Sequence, residues 1–81
     1  MILKVINFTL VQDYKIQITF NNGEIKIVDL KDELKGEVFE PLKDITFFKK
    51  VYLTDWKVLQ WPNGADFAPE FLYLIGQKIA A

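Results

Sequence analysis

Residues 14–29 read Tyr14-Lys15-Ile16-Gln17-Ile18-Thr19-Phe20-Asn21-Asn22-Gly23-Glu24-Ile25-Lys26-Ile27-Val28-Asp29. Tyr14, Ile16, Ile18 and Phe20 alternate with Lys15, Gln17 and Thr19, the period of a strand with one dry and one wet face. Asn22-Gly23 is the strongest short hairpin signal, because both positions of a two-residue turn need positive φ. Residues 24–29 alternate again. A two-residue turn sets Phe20 opposite Ile25 and Ile18 opposite Ile27, with Thr19 facing Lys26 on the wet side. A slip of one residue mismatches those faces.

On the N-terminal side, residues 2–11 are rich in β-branched and apolar types and predict a first strand. A two-residue turn at Gln12-Asp13 sets Thr9 opposite Ile16. A three-residue loop, Val11-Gln12-Asp13, instead sets Leu10, Phe8 and Ile6 opposite Tyr14, Ile16 and Ile18. The second matches apolar faces and puts Asp13 in the left-handed conformation that Asp tolerates. The first half is then a three-stranded antiparallel meander.

On the C-terminal side the period changes. Asp29 can cap a short helix over Leu30 to Lys35, with Gly36 as its stop. Phe39-Glu40-Pro41-Leu42 is a connection in which Pro41 stops any regular helix. Asp44 can cap one more turn, Ile45 to Lys49. Val51 to Thr54 and Lys57 to Trp61 predict two short strands around an Asp55-Trp56 turn. Pro62-Asn63-Gly64 is turn chemistry. Pro69 opens a last helix to about Ile75, with Gly76 after it. The expectation is a single α+β domain over residues 1–81, with an antiparallel sheet of about five strands, two short helical segments and a C-terminal helix.

Composition narrows the chemistry. The chain has 81 residues, 51% hydrophobic and 26% charged, with a formal net charge of -1. Its ten cations are all lysines, and it has no Arg, His, Cys or Ser. That excludes Cys/His zinc sites, disulfides, Ser or Cys nucleophiles and a His base. Seven Phe, three Tyr and two Trp supply the core that so small a domain needs. The longest apolar run, Phe71 to Ile75, is far short of the roughly 20 residues that span a bilayer. The N-terminus has no basic region or cleavage site and predicts a strand rather than a signal peptide. No membrane association is expected, and the cytoplasm is the default location.

The charged clusters predict little. Asp29, Asp32 and Glu33 lack EF-hand spacing and sit among Lys31 and Lys35, as a solvated helix start would. Lys43, Lys49 and Lys50 offer few phosphate contacts and no Arg, so direct nucleic-acid binding is not expected. Of Phe47-Phe48, either both lie under the Phe39–Leu42 connection or one is left exposed for an interface. No cofactor or metal is implied.

The most distinctive segment is Trp61-Pro62-Asn63-Gly64-Ala65-Asp66-Phe67-Ala68-Pro69-Glu70-Phe71-Leu72-Tyr73. One reading is a strand-to-helix joint. Trp61 ends a strand, Asn63-Gly64 reverses the chain, and Asp66 accepts backbone N–H groups of the following turn. Ala68 is extended before Pro69, and Pro69 pre-sets the helix. The other reading is a pocket with Asp66 and Glu70 as paired acids and Trp61 and Tyr73 as walls. Phe71 and Leu72 continue an all-apolar run that a surface helix does not need, which predicts an interface with a protein partner or a second copy of the chain.

That run resembles the C-terminal motif of the bacterial domain of unknown function 2442 family. The strand pair around Asn22-Gly23, the Val28-Asp29 exit, Phe39-x-Pro41-Leu42 and Asp44-x-x-x-Phe48 are similar too, so the resemblance covers about residues 3 to 74. The turn Thr54-Asp55-Trp56-Lys57 is shorter than the loop common in that family. The resemblance implies a small α+β domain. It also implies a protein partner encoded beside it, in a two-gene, toxin–antitoxin-like pairing. Three functions follow as expectations: a non-catalytic interaction module, a homodimeric structural domain, or an enzyme using carboxylates.

Overall fold

A computed structural model describes residues 2–79. It is α+β, as the sequence predicts, with its strands divided between two sheets. Strands β1 (Val5–Gln12), β2 (Lys15–Phe20) and β3 (Ile25–Asp29) form the antiparallel meander. A 3-10 turn over Lys31–Glu33, a 3-10 helix over Glu37–Lys43 and helix α1 (Ile45–Phe48) lead to a second sheet. That sheet consists of β4 (Tyr52–Leu53), β5 (Leu59–Gln60) and β6 (Asp66–Phe67), in that order. Helix α2 (Pro69–Ile75) returns the chain to the first sheet, where β7 (Gln77–Lys78) pairs with β3. The expected single sheet is thus two, of four and three strands. β6 and β7 are two residues each, too short to show a period.

The decisive hairpin has a different turn from the one expected. Thr19 pairs with Ile25, Ile18 with Lys26 and Gln17 with Ile27. Ile25 and Ile27 therefore lie on the sheet face opposite Ile18, and Lys26 lies on the Ile18 face. The turn has three residues, Asn21-Asn22-Gly23. Phe20 N donates to Glu24 O at 2.9 Å, Gly23 N donates to Phe20 O at 3.0 Å, and Gly23 has φ 89°. This is the alternative hairpin in which only the last turn residue is left-handed. An Asn-Gly pair suits both forms. Here Asn21 is committed elsewhere: its Oδ1 accepts Lys4 N at 2.9 Å and its Nδ2 donates to Ile2 O at 2.7 Å.

The first hairpin keeps the expected shared face, but its turn is the two residues Asp13-Tyr14 rather than the expected Val11-Gln12-Asp13 loop, which shifts the expected pairing by two residues. Asp13 is left-handed at φ 49°. Leu10 pairs with Ile16 and Phe8 with Ile18, while irregularities at Val11 and Ile6 break the register. The second brings Val5 opposite Phe20 in the core and leaves Ile6, expected there, exposed.

Ile16, Ile18, Phe20, Val28 and Val5 bury one face of the meander. Leu30, Leu34, Leu42, Phe48, Leu59, Trp61 and Leu72 complete the core beneath it. Asp29 Oδ1 accepts Lys31 N at 3.0 Å, but a single 3-10 turn replaces the longer helix expected after it. Pro41 lies inside a 3-10 helix, where no regular helix was expected. Asp44 caps α1 as expected, its Oδ1 accepting Thr46 N at 3.0 Å. Of the Phe47-Phe48 pair, Phe48 is buried and Phe47 half-buried, with the Lys50 amine over its ring.

Candidate functional site

The Trp61–Tyr73 segment is a joint in which nearly every side chain has a structural task. Trp61 is fully buried. Its indole N–H donates to Phe48 O at 2.8 Å, tying the end of α1 to β5. Its ring lies in an aromatic row, 5.5 Å from Phe48 and 5.9 Å from Phe67. Phe67 continues the row, stacking on Phe39 at 4.8 Å and on Phe71 at 5.7 Å. Aromatic pairs at these separations add to the burial of their area.

Asn63 does two things. Its Oδ1 accepts Ala65 N at 3.2 Å, and its Nδ2 donates to Val38 O at 2.8 Å. The second bond has a cause in the chain. In a 3-10 helix the carbonyl of Val38 pairs with the N–H three residues on, and that residue is Pro41, which has none. Asn63 supplies the missing donor and so fastens the β5–β6 turn to the 3-10 helix. Gly64 takes φ 89°. Ala68 is extended at φ -61°, ψ 139°, and Pro69 is buried in the first turn of α2, both as expected. Leu72 is fully buried beneath the helix.

Tyr73 belongs to another neighbourhood. Its ring meets Phe20 edge-on at 5.1 Å, and its hydroxyl accepts from Asn22 Nδ2 at 3.3 Å. The Lys26 amine lies 3.7 Å from the ring centre and donates to Tyr73 O at 2.8 Å, closing the C-terminal end of α2. That explains why Lys26 sits on the face expected to be dry.

The proposed acid pocket does not form from these parts. Trp61 contributes no surface to a cleft, and Tyr73 is engaged with Phe20 and Lys26. Asp66 and Glu70 are exposed. The backbone bonds expected at Asp66 are absent among the described residues, because Asp66 lies in β6, paired with Gln60. Among the described residues no three carboxylates are placed to hold a metal ion. The all-apolar run of α2 divides: Leu72 is buried, Phe71, Tyr73 and Ile75 are half-buried, and Leu74 points to solvent, 80% exposed.

A different surface emerges one strand away. Across the second sheet, Leu53, Leu59 and Phe67 form the inner row, and Tyr52, Gln60 and Asp66 form the outer row. Tyr52 OH donates to Gln60 Oε1 at 2.8 Å. The turn joining β4 to β5 holds Trp56 at 65% exposure. Tyr52, Leu53, Thr54, Asp55, Trp56 and Gln60 line a shallow depression of about 250 Å³.

The turn itself repeats the hairpin geometry seen twice already. Thr54 N donates to Val58 O at 3.0 Å and Lys57 N donates to Thr54 O at 3.0 Å, as at Asn21-Asn22-Gly23 and Pro62-Asn63-Gly64. The left-handed position is Gly23 or Gly64 in the other two and Lys57 here, at φ 68°. Thr54 Oγ1 accepts Val58 N at 3.1 Å and braces the turn. Sequence reasoning marked this turn without singling out Trp56. The available signal was a large aromatic between Asp55 and Lys57, in a turn with nothing to bury it.

A family model described as protein of unknown function (DUF2442) matches residues 5–77. The chain belongs to this family. No curated protein and no solved structure matches it. Membership in DUF2442 agrees with the resemblance carried by the Trp61–Tyr73 motif, whose residues build the joint.

Proposed function

We propose that the chain is a non-catalytic protein-interaction module that binds a partner through the Tyr52–Trp56 face. The observation that carries this is Trp56, held out to solvent by a turn whose Lys57 adopts a left-handed conformation that costs energy for a lysine. Strain of that kind persists where the surrounding structure enforces it, and it concentrates at binding sites. Trp and Tyr are also the side chains that most often dominate binding energy at protein interfaces. The depression beside them, about 250 Å³, is smaller than the roughly 300–1,000 Å³ of small-molecule sites and suits one inserted side chain.

The family resemblance supplies the candidate: a small protein encoded beside this chain, in a toxin–antitoxin-like pair. The absence of cysteine suits a cytoplasmic setting. No helix among the described residues is long and apolar enough to cross a membrane. The test is co-expression with the product of the adjacent gene. Wild type and Asp66→Ala should co-purify with it, and Trp56→Ala should not, while melting at the wild-type temperature. Capture that survives Trp56→Ala, or no capture by wild type, contradicts the proposal.

A further inference from the structure

The first sheet ends on two edges of different character. One is β7, two residues long and carrying Lys78, which is ion-paired with Glu24 at 3.2 Å. The other is β1, eight residues long. Soluble proteins commonly protect such an edge with a charge or a proline. From Val5 to Gln12 the chain has neither, and only the irregularities at Ile6 and Val11 interrupt it. Its N-terminal end is partly occupied, because Val5 N donates to Lys57 O at 3.2 Å. The free edge therefore runs from Ile6 to Gln12, and its midpoint is Thr9. Ile6 and Val11 near its two ends are about half exposed, at 49% and 48%.

We infer that this edge pairs antiparallel with the same edge of a second copy of the chain, about a twofold axis at Thr9. The argument is charge placement. Charged residues bracket the edge: Lys4, with Lys57 beside Val5, at one end, and Asp13 at the other. A twofold antiparallel pairing centred on Thr9 sets Ile6 opposite Gln12, Asn7 opposite Val11 and Phe8 opposite Leu10. It brings Asp13 of each copy opposite Val5 of the other, next to Lys4 and Lys57. Unlike charges meet at both ends, and no charge faces itself at the centre. Lys15 lies one strand inside the edge, opposite Gln12 on one side and Asp29 on the other. The irregularities at Ile6 and Val11 shorten the regular ladder, so the association is reversible and concentration-dependent. The contact reaches Lys57 at the base of the Trp56 turn but does not involve the Trp56 side chain, and it is tested by different variants.

Sedimentation velocity across a micromolar concentration series tests this, with circular dichroism confirming that each variant is folded. Wild type should pass from monomer to dimer. Thr9→Lys sets two ammonium groups across the axis and should weaken the dimer by about tenfold or more. Lys4→Glu should weaken it by about threefold at low salt, with the effect fading at high salt. Ile25→Lys on the open sheet face and Trp56→Ala should leave it unchanged. A wild-type monomer throughout, or a dimer that tolerates Thr9→Lys or is lost in Ile25→Lys, overturns the inference. Binding of the adjacent gene product by Thr9→Lys, measured alongside, keeps failure here distinct from failure of the interaction module.

Discussion

Lys57 and Gly64 occupy equivalent places in equivalent turns, and their substitutions should have opposite signs. Gly64→Val puts a β-branched residue at φ 89° and should cost about 1–3 kcal/mol. Lys57→Gly relieves a left-handed lysine worth about 1–2 kcal/mol, partly offset by the added freedom of the unfolded chain. It should melt at or above the wild-type temperature. Urea denaturation of both checks this, and a loss of stability in Lys57→Gly would contradict the turn geometry. Asn63 and Asp66 form a second contrast. Asn63→Ala loses the turn bond and the bond to Val38 O, about 1–2 kcal/mol together. Asp66→Ala touches nothing comparable and should stay within about 0.5 kcal/mol. The positive φ of Gly64 was legible from Asn63-Gly64 alone. The reach of Asn63 was not, because it depends on a carbonyl left free by Pro41, more than twenty residues earlier.

At the scale of elements, Lys26 shows why the register was not legible. Alternation identified both strands of the hairpin and the face of Ile16, Ile18 and Phe20. It could not choose between two turns that Asn22-Gly23 serves equally well. The choice places Lys26 where its stem crosses Gly76 and its amine reaches the end of α2. A Cβ on Gly76 would lie 2.9 Å from Lys26 Cβ, so Gly76 is needed for space at an ordinary backbone conformation. Lys26→Ala should therefore lower stability by about 1–2 kcal/mol, by removing the bond to Tyr73 O and the contact with its ring. Glu24→Ala, which removes a partly exposed ion pair with Lys78, should cost about 1 kcal/mol or less. Equal losses in chemical denaturation would show that Lys26 is not closing the helix. β6 and β7 stayed hidden for a simpler reason. Two paired residues carry no period, and their partners are set by where α2 lands.

At the scale of the whole molecule, two small sheets share one core, and the row Tyr14, Phe48, Trp61, Phe67 joins them. The motif most distinctive in the sequence is spent on that junction. Its acids stay at the surface, and its tryptophan is the buried one. The exposed tryptophan lies on the neighbouring hairpin, where the surface is free to meet another chain. The two assignments make opposite demands on a binding isotherm. Calorimetric titration with the adjacent gene product should give about a 30-fold or greater loss of affinity for Trp56→Ala, the scale of an interface anchor. The double variant Asp66→Ala/Glu70→Ala should bind within about threefold of wild type. Full affinity in Trp56→Ala together with loss in the acid variant would contradict the account and return function to the Trp61–Tyr73 motif.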